Sequence, residues 1–376
     1  MQTIIEQTLG DLAASGNLRL IPDDATTSGR IDFSSNDYLG IATRADLRQE
    51  FFSAHDPRDL LMSASASRLL ARTQTAFDDF EKSLRDAYGR SALIFNSGYH
   101  ANTGLVSALA TKDYTILADK LVHASIIDGI KLSGAPFERF RHNDMRHLAL
   151  LAEKISSQGR KLLIIVESVY SLDGDRAPLR EIAEIKRKHD GALLYVDEAH
   201  AVGVEGPGGL GLVMAMGDQA ADVDVIVGTL GKALGSTGAF AIMDDTFRSW
   251  AINRARSFIF STALPPVTAQ WSKFVFEKSL GMDSERSHLK ALGNALGRTL
   301  CNGSNSHIQP YMLGDPHAAV EMSKALAADG FDVLPIRTPT VPPGTDRLRL
   351  SLSAAMSIDD VEALGRAIKT YADEQL

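Results

Sequence analysis

The chain contains a single cysteine, Cys301, among its 376 residues. One cysteine excludes an intrachain disulfide framework, gives no support for a thiolate metal cluster, and is compatible with a reducing compartment. No apolar run approaches the roughly 20 residues that span a bilayer, and residues 1–7 lack the features of a signal peptide. We therefore expect a soluble cytoplasmic protein that does not associate with membranes.

Positive charge is not in excess either. The formal net charge is −8 and the pI is about 5.7, which argues against a broad nucleic-acid surface. The hydrophobic content of 44% allows a large core. At roughly 150 residues per domain, the length suggests about two domains.

Apolar runs and helical periodicity alternate along most of the chain. Runs over residues 92–95, 114–118, 161–166, 192–196 and 223–227 predict buried strands, and helical patterns such as 146–156 and 179–189 lie between them. This alternation is typical of an α/β fold with a large, mostly parallel sheet covered by helices.

Three segments are predicted. Residues 1–37 form an N-terminal helix and a connector over 22–30, residues 38–266 form the large α/β domain, and residues 267–376 form a smaller α+β domain. Pro265-Pro266 marks the last boundary, and a long helix over residues 267–300 is predicted to follow it.

The most informative residues follow two neighbouring apolar runs. Ala192-Leu-Leu-Tyr-Val196 leads to Asp197 and His200, and the run over 223–227 leads to Thr229 and Lys232. Asp197 and Lys232 lie 35 positions apart (232 − 197), about one β-to-β step through a crossover, so both are expected at one edge of a parallel sheet. Pyridoxal phosphate requires this pair, a lysine for the Schiff base and a carboxylate that keeps the pyridinium nitrogen protonated.

Each of these residues also has a structural interpretation. Asp197 could cap a helix, Lys232 could be a solvated charge, and His200 could be a core histidine. In the functional interpretation, His200 binds the phenolic oxygen of the cofactor. Gly231 beside the lysine leaves room for a bulky group.

Further candidates lie at other strand ends. Asn96-Ser-Gly-Tyr-His100 joins a strand to a helix whose first N–H groups suit a phosphate. Ser171 and Thr229 supply hydroxyls that could contact a phosphate or ring oxygen, or could serve as caps. His123 could lie flat over a pyridine ring or be structural.

Two more patterns concern substrate and cofactor class. In Asp346-Arg-Leu-Arg349 the arginines share one strand face; Arg349 could grip a carboxylate, whereas a surface salt bridge is the simpler interpretation for Arg347. Gly206-Pro-Gly-Gly-Leu-Gly211 fits the dinucleotide pattern G-x-G-x-x-G, but it lies several residues beyond the strand end.

Together these segments resemble the α-oxoamine synthases, a branch of the fold-type I pyridoxal-phosphate enzymes, over about residues 18–367. The resemblance rests on motifs from the whole chain: Ser35-Asn-Asp-Tyr-Leu-Gly40, Phe95-Asn-Ser-Gly-Tyr99, Ser168-Val-Tyr-Ser-Leu-Asp-Gly-Asp175, Val196-Asp-Glu-Ala-His200, Thr229-Leu-Gly-Lys232 and the C-terminal Ile336-Arg-Thr-Pro-Thr-Val-Pro-Pro-Gly-Thr-Asp-Arg-Leu-Arg349. The last is most similar to the biotin-pathway members, which condense L-alanine with a pimeloyl thioester on coenzyme A or a carrier protein.

The resemblance implies a pyridoxal 5′-phosphate cofactor, a homodimer with shared active sites, and a role for each matching residue. Lys232 carries the Schiff base, Asp197 pairs with the ring nitrogen and His123 stacks on the ring. The implied cofactor contacts are Gly98, Tyr99, Ser171, His200 and Thr229, with Ser261 and Thr262 reaching the neighbouring subunit's phosphate. The implied substrate residues are Arg19, Asn36, Thr340 and Arg349.

One segment departs from the family pattern. A Gly-Ser-Gly-rich run is replaced by Met62-Ser-Ala-Ser-Ala-Ser-Arg-Leu-Leu70, and Phe77 stands where a histidine is usual. Alanine disfavours positive φ angles, so the acyl-chain entrance is expected to differ. Alternatives are an α-oxoamine synthase that uses glycine or serine, an aminotransferase, a nicotinamide dehydrogenase that uses residues 206–211, and a non-catalytic cofactor-binding regulator.

Overall fold

The computed structural model describes residues 1–19, 21, 29–72 and 74–374. Most of the predicted connector over residues 22–30 lies outside this part of the chain. The chain divides into two compact units. The sheet unit comprises residues 39–171 and 175–286, and the terminal unit comprises residues 1–38, 172–174 and 287–376.

Strands are numbered along the chain. They are β1 Ile31–Asp32, β2 Ser91–Phe95, β3 Tyr114–Asp119, β4 Phe137–Phe140, β5 Lys161–Glu167, β6 Leu193–Asp197, β7 Val225–Thr229, β8 Ala239–Met243, β9 Ile308–Met312, β10 Phe331–Asp332, β11 Leu334–Ile336 and β12 Arg347–Ser351.

The α-helices of the described residues are identified by their bounds. They are Gln2–Ala14, Ala45–Ala54, Thr75–Tyr88, Gly98–Leu109, Ala124–Ser133, Met145–Ser156, Leu179–Arg187, Asp245–Arg254, Arg256–Ile259, Pro266–Ser279, Asp283–Thr299, Pro316–Ala328 and Ile358–Glu374.

The sheet unit is built on a seven-stranded sheet in the order β2-β8-β7-β6-β5-β3-β4. Neighbouring strands run parallel except β8, which is antiparallel to both β2 and β7. Six of the seven residues of β5 are buried, as expected for a strand covered by helices on both faces. The predicted large, mostly parallel α/β sheet is confirmed.

One close helix contact on this sheet depends on a glycine. Gly129, in helix Ala124–Ser133, lies against helix Gly98–Leu109, where a Cβ would come within 2.9 Å of the carbonyl oxygen of Asn102 and 3.0 Å of Val106 Cβ. The helices can therefore approach closely only because position 129 has no side chain. Leu105 and Val106 from the first helix are fully buried in the core.

The terminal unit contains a three-stranded antiparallel sheet, β11-β12-β9. Strands β1 and β10 pair in parallel, which ties the N-terminal segment to the C-terminal part of the chain. In helix Gln2–Ala14 none of the residues is buried. No helix in the described ranges is both long and apolar enough to cross a membrane.

This division differs from the predicted boundaries. Helix Pro266–Ser279 lies in the sheet unit because Phe276 packs on Phe80 and Phe240, with ring centroids 6.0 and 6.4 Å apart. Residues 1–38 group with the C-terminal part of the chain rather than forming a separate segment. The single helix predicted over residues 267–300 is two helices, Pro266–Ser279 and Asp283–Thr299, separated by a turn at residues 280–282.

Candidate active site

Lys232 lies just beyond β7 at the carboxyl edge of the parallel strands. Its Nζ is 2.7 Å from Nε2 of His200, which follows the neighbouring strand β6. Because β6 and β7 are parallel and adjacent, Asp197 pairs with Val227 in register. The prediction that the acid and the lysine lie at the same edge of the sheet is confirmed.

Asp197 is buried, with only 4% of its surface exposed. Its Oδ1 accepts the Ala199 backbone N–H at 2.9 Å, and its Oδ2 accepts Asn102 Nδ2–H at 2.7 Å. These two hydrogen bonds fix the orientation of the Asp197 carboxyl group. The helix-cap interpretation of Asp197 is wrong, because the residues after it form turns and not a helix.

His123 immediately precedes helix Ala124–Ser133. Its Nδ1 accepts the Ser125 backbone N–H at 3.2 Å and lies 2.7 Å from Ser125 Oγ. Burial lowers the pKa of His123; Asp197 opposes this shift and Lys232 reinforces it. A neutral imidazole is therefore favoured beside the acid and the lysine.

Glu167 is a second carboxyl group at this edge that the sequence patterns did not single out. It ends β5 directly opposite Asp197 in the strand register, and 2% of its surface is exposed. Burial raises the pKa of Glu167 well above its usual value, the charge of Asp197 raises it further, and Lys232 opposes both. Glu167 therefore favours the protonated, neutral form.

The start of helix Gly98–Leu109 carries backbone N–H groups of the kind that suit an anion. The first N–H groups of an α-helix have no acceptor within the helix, and of these Ser97 Oγ accepts the N–H of His100, at 3.2 Å. A Cβ placed on Gly98 would lie 3.9 Å from Thr229 Oγ1, so this hydroxyl sits beside the helix start. The Tyr99 hydroxyl donates to Asp128, so its ring is already engaged by that residue.

The remaining predicted cofactor residues occupy two loops of the sheet unit. Ser171 is half-buried in the turn after β5. Asn96 Nδ2 donates to the carbonyl oxygen of Thr262 at 2.5 Å, which places Ser261 and Thr262 beside the Asn96–Gly98 turn of the same chain. The Thr262 side chain is exposed and that of Ser261 is partly so.

The four predicted substrate residues lie in the terminal unit, where they form two pairs. Arg349, on β12, donates from Nη2 to Asn36 Oδ1 at 2.9 Å and to the Tyr38 hydroxyl at 3.3 Å. Burial raises the pKa of Tyr38 to about 12, against the opposing effect of Arg349, so the phenol stays neutral. Arg19 Nη2 donates to Thr340 Oγ1 at 2.7 Å on the surface.

The interpretation of Arg347 as part of a surface salt bridge needs correction. Its guanidinium does form an ion pair, with Asp173, but only 7% of the side chain is exposed. The pair is therefore largely buried and not a surface salt bridge. β12 passes through the middle of its three-stranded sheet, which places both arginines of the strand inside the unit.

The Gly206–Gly211 pattern is not a strand-to-helix turn. Only a three-residue 3₁₀ turn, Pro207–Gly209, follows its start. The loop closes around Glu198: Val213 N–H donates to Glu198 Oε1 at 3.1 Å, and a Cβ on Gly211 would lie 1.7 Å from Glu198 Oε2. These glycines make room for a buried carboxyl group, so the structure gives no support to a nicotinamide site.

Segment 62–70, which departs from the family pattern, contains one residue in the left-handed conformation that glycine favours. Ser65, rather than either alanine, takes the left-handed conformation at φ +56°, and its N–H donates to Ser63 Oγ at 3.0 Å. Phe77 is buried with Arg68 above its ring at 4.4 Å, and Arg68 also binds Glu81 at 2.9 Å. A packed cation–aromatic contact therefore occupies the position where the family usually has a histidine.

The chemistry of the sheet-unit residues fits pyridoxal phosphate. An amine, a hydrogen-bonded carboxylate, a neutral imidazole and free helix N–H groups are the functions that its aldehyde, ring nitrogen, ring face and phosphate require. Asn102 and Ser125 were missed, although Asn102 shares the apolar stripe of Leu105 and Val106, where a polar residue requires a partner.

Comparisons with known proteins identify the family. The family model "Aminotransferase class I and II" matches residues 28–368. A protein from Pasteurella multocida, provisionally named 8-amino-7-oxononanoate synthase, is 42% identical over 98% of this chain and 99% of its own.

Two solved structures are similar to this chain over nearly its whole length. A serine palmitoyltransferase from S. paucimobilis, solved with a PLP–myriocin aldimine, has a TM-score of 0.85 at 29% identity, covering 97% of this chain and 98% of that one. An 8-amino-7-oxononanoate synthase from Francisella tularensis has a TM-score of 0.76 at 26% identity, covering 92% and 98%. The chain therefore belongs to the aminotransferase class I and II family, in its α-oxoamine synthase branch of pyridoxal-phosphate-dependent acyltransferases.

Proposed function

We propose that the protein condenses L-alanine with a pimeloyl thioester, carried on coenzyme A or a carrier protein, and releases carbon dioxide, the free thiol and 8-amino-7-oxononanoate for biotin synthesis. The observation that carries the chemistry is Lys232 Nζ beside His200 at the sheet edge where Asp197 ends the adjacent strand. The choice among α-oxoamine synthases rests on relatives 42–44% identical over nearly the whole chain.

The cofactor, when bound, supplies an aldehyde for the amino group and a ring that accepts the negative charge developing at Cα. Lys232 Nζ takes the Cα proton and later returns one to the product carbon. Asp197 holds a proton on the ring nitrogen. The hydrogen bonds from Ala199 and Asn102 keep its two oxygens in position for this role. Neutral His123 offers a hydrogen bond to the thioester carbonyl as it becomes an oxyanion.

Binding roles follow from donor chemistry. The N–H groups of Gly98 and Tyr99 and the Thr229 hydroxyl hold the phosphate, while Ser171 and His200 contact the phenolic oxygen. In the terminal unit, Arg349 grips the amino-acid carboxylate, since a guanidinium donates from several N–H groups at once. Asn36 and Tyr38 orient that guanidinium through the hydrogen bonds described above, and Arg19 and Thr340 contribute to the same substrate.

We further propose a homodimer in which Ser261 and Thr262 reach the phosphate bound by the partner subunit. Support comes from the sheet unit, where Ala263 N–H donates to Ala66 O and Val267 N–H to Leu61 O. The two joined segments expose large apolar side chains: Leu61, Met62, Leu69, Leu70 and Phe260. Apolar surface of this kind is typical of a protein interface.

The test is a substrate matrix. The holoenzyme is incubated with alanine, glycine or serine and with pimeloyl- or palmitoyl-coenzyme A or pimeloyl carrier protein, while thiol release, carbon dioxide and product mass are measured. Alanine with a pimeloyl thioester should give the highest kcat/KM. A preference for serine with the palmitoyl thioester, or amino-group transfer without thiol release, would contradict the proposal.

A further inference from the structure

A buried chain of hydrogen bonds joins the two residues assigned to the ring face and the ring nitrogen. It runs from His123 Nδ1 to Ser125 Oγ at 2.7 Å, from Ser125 Oγ to Asn102 Nδ2 at 2.9 Å, and from Asn102 Nδ2 to Asp197 Oδ2 at 2.7 Å. Asn102 is 2% exposed and Ser125 is fully buried. These contacts are therefore shielded from competing water.

The fold holds the centre of this chain from two sides. Helix Ala124–Ser133 brings Ser125 against Asn102, an approach that Gly129 permits. From strand β6, the hydroxyl of Tyr195 donates to Asn102 Oδ1 at 2.6 Å. With its oxygen engaged by Tyr195, the Asn102 amide can present only its two N–H bonds to Ser125 and Asp197.

The direction of every proton follows from this arrangement. A carboxylate only accepts, so one Asn102 N–H points to Asp197, and the other points to Ser125 Oγ. The Ser125 hydroxyl then directs its own proton to His123 Nδ1, which also accepts the Ser125 backbone N–H at 3.2 Å. Nδ1 therefore carries no hydrogen, and the neutral ring is protonated at Nε2.

The surrounding charges agree with a neutral ring. Asp197, from β6, favours the imidazolium, whereas Lys232, after β7, disfavours it. Burial raises the pKa of Glu167, from β5, against the opposing effect of the His123 backbone, which makes Glu167 a weak source of negative charge. Burial adds to the effect of Lys232 and lowers the pKa of His123.

We propose that Asn102 is a positioning residue that fixes His123 as the Nε2–H tautomer and orients Asp197 at the same time. One amide group thereby couples the hydrogen-bond donor over the ring to the carboxylate at the ring nitrogen. This inference rests on the proposed roles of His123 and Asp197, but the tautomer itself is a property of the chain without cofactor or substrate.

The first experiment follows the ¹⁵N NMR signals of the histidine ring nitrogens in the cofactor-free protein, with His123 identified by a His123→Gln variant. Wild type should show Nε2 protonated and Nδ1 bare. Ser125→Ala removes a donor to the neutral ring, so the Nε2–H tautomer should lose population and the pKa of His123 should rise by about half a unit to one unit. Ser107→Ala, whose hydroxyl donates to Thr103 O and Gly104 O on the same helix, is the control and should change neither value.

The second experiment separates effects at the Asp197 end of this hydrogen-bond chain from effects at its His123 end. Asn102→Ala should weaken cofactor binding and also shift the acidic limb of the kcat/KM profile to higher pH, with about a tenfold loss at neutral pH. Ser125→Ala should shift the pH profile while leaving cofactor affinity within about twofold. Tyr195→Phe keeps the Asn102 amide and removes only the hydroxyl that donates to it. It should change cofactor affinity and the pH profile in the same direction as Asn102→Ala but by less, and it remains informative if Asn102→Ala fails to fold.

The outcomes distinguish this inference from the proposed function. If the Ser125→Ala signals and pH profile match wild type, Asn102 does not set the tautomer and the inference is overturned. If the NMR changes occur but no thioester is condensed with any amino acid, the proposed reaction fails and the positioning role stands.

Discussion

At the scale of single residues, the pair Glu167 and Asp197 shows how environment assigns roles. They end neighbouring strands in register, yet Asp197 receives two hydrogen-bond donors, whereas Glu167 Oε1 is buried with no hydrogen-bond partner among the described residues. Burial raises the pKa of Glu167 well above its usual value and favours the neutral acid there. In the proposed function, the hydrogen-bonded Asp197, and not Glu167, is the partner of the ring nitrogen.

Asp197→Asn should retain the fold and lose kcat by about 10²- to 10³-fold, the size of effect seen when one preorganised electrostatic group is removed. The amide cannot hold a proton on the ring nitrogen as a carboxylate does. Steady-state kinetics and circular dichroism measure the two effects, with the exposed Asp190→Asn as control. A nearly unchanged kcat would mean that Asp197 does not support the ring as an electron sink.

Gly211 gives a prediction about stability. It adopts φ +97°, and a Cβ would lie 1.7 Å from Glu198 Oε2, so Gly211→Ala adds a clash to backbone strain. We expect a loss of about 3 kcal/mol or more in the free energy of unfolding. Gly89 is the matched control, because at φ +69° a Cβ there meets nothing within 4 Å, and Gly89→Ala should cost only about 1 kcal/mol. Equal losses in urea unfolding would mean that Glu198 can move aside.

At the scale of secondary-structure elements, His142 ties together the loops that follow β3 and β5. Its Nδ1 lies 2.9 Å from Asp119 Oδ1, and its Nε2 lies 2.7 Å from Asp175 Oδ2. Burial opposes protonation, but the hydrogen bonds to the two carboxylates outweigh it and raise the pKa of His142 to about 10. The loops that carry His123 and Ser171 are thus joined through one imidazolium.

This raised pKa predicts a definite pH dependence. Because the folded-state pKa exceeds the unfolded value of 6.5, the contribution of His142 is complete below about pH 6.5 and is lost as pH rises toward 10. The free energy of unfolding of wild type should exceed that of His142→Gln most at pH 6, and the gap should narrow steadily to pH 10. A gap that is constant or grows with pH would contradict the assignment. His189→Gln serves as the control.

Five strands of the seven-stranded sheet could be predicted because they are apolar runs. The predicted bounds of each strand differ from those in the structure by at most two residues at either end. β4, Phe137–Phe140, escaped detection because its edge position leaves it with a mixed polar pattern. Lys232 and Asp197 were recognisable from strand ends and spacing. Asn102 was not, because its partner Asp197 lies 95 residues away and only the packed helices bring the two together.

At the scale of the whole molecule, sequence order and compact units do not coincide. Residues 1–38 fold with residues 287–376, and the short stretch 172–174 joins them, partly through the Arg347–Asp173 ion pair. A composition-based boundary at Pro265-Pro266 could not reveal this, because β1 and β10 pair across some 300 positions.

The proposed dimer predicts a selective effect of charge on the exposed apolar segments. Phe260→Asp or Leu70→Asp should weaken self-association by at least about tenfold, since a charge at an apolar interface is costly to desolvate. Leu150→Asp, at a leucine 64% exposed on helix Met145–Ser156, is the control and should leave association unchanged. Light scattering and sedimentation measure both, and a monomeric wild type would contradict the dimer.

The central claim is that Lys232 is the amine that binds the cofactor's aldehyde. Borohydride reduction of the protein with pyridoxal phosphate, followed by peptide mass analysis, tests it most directly. We predict a single modified peptide that contains Lys232, loss of visible absorption on reduction, and no modified peptide from Lys232→Ala. Modification at another lysine, or equal labelling of Lys232→Ala, would contradict the account.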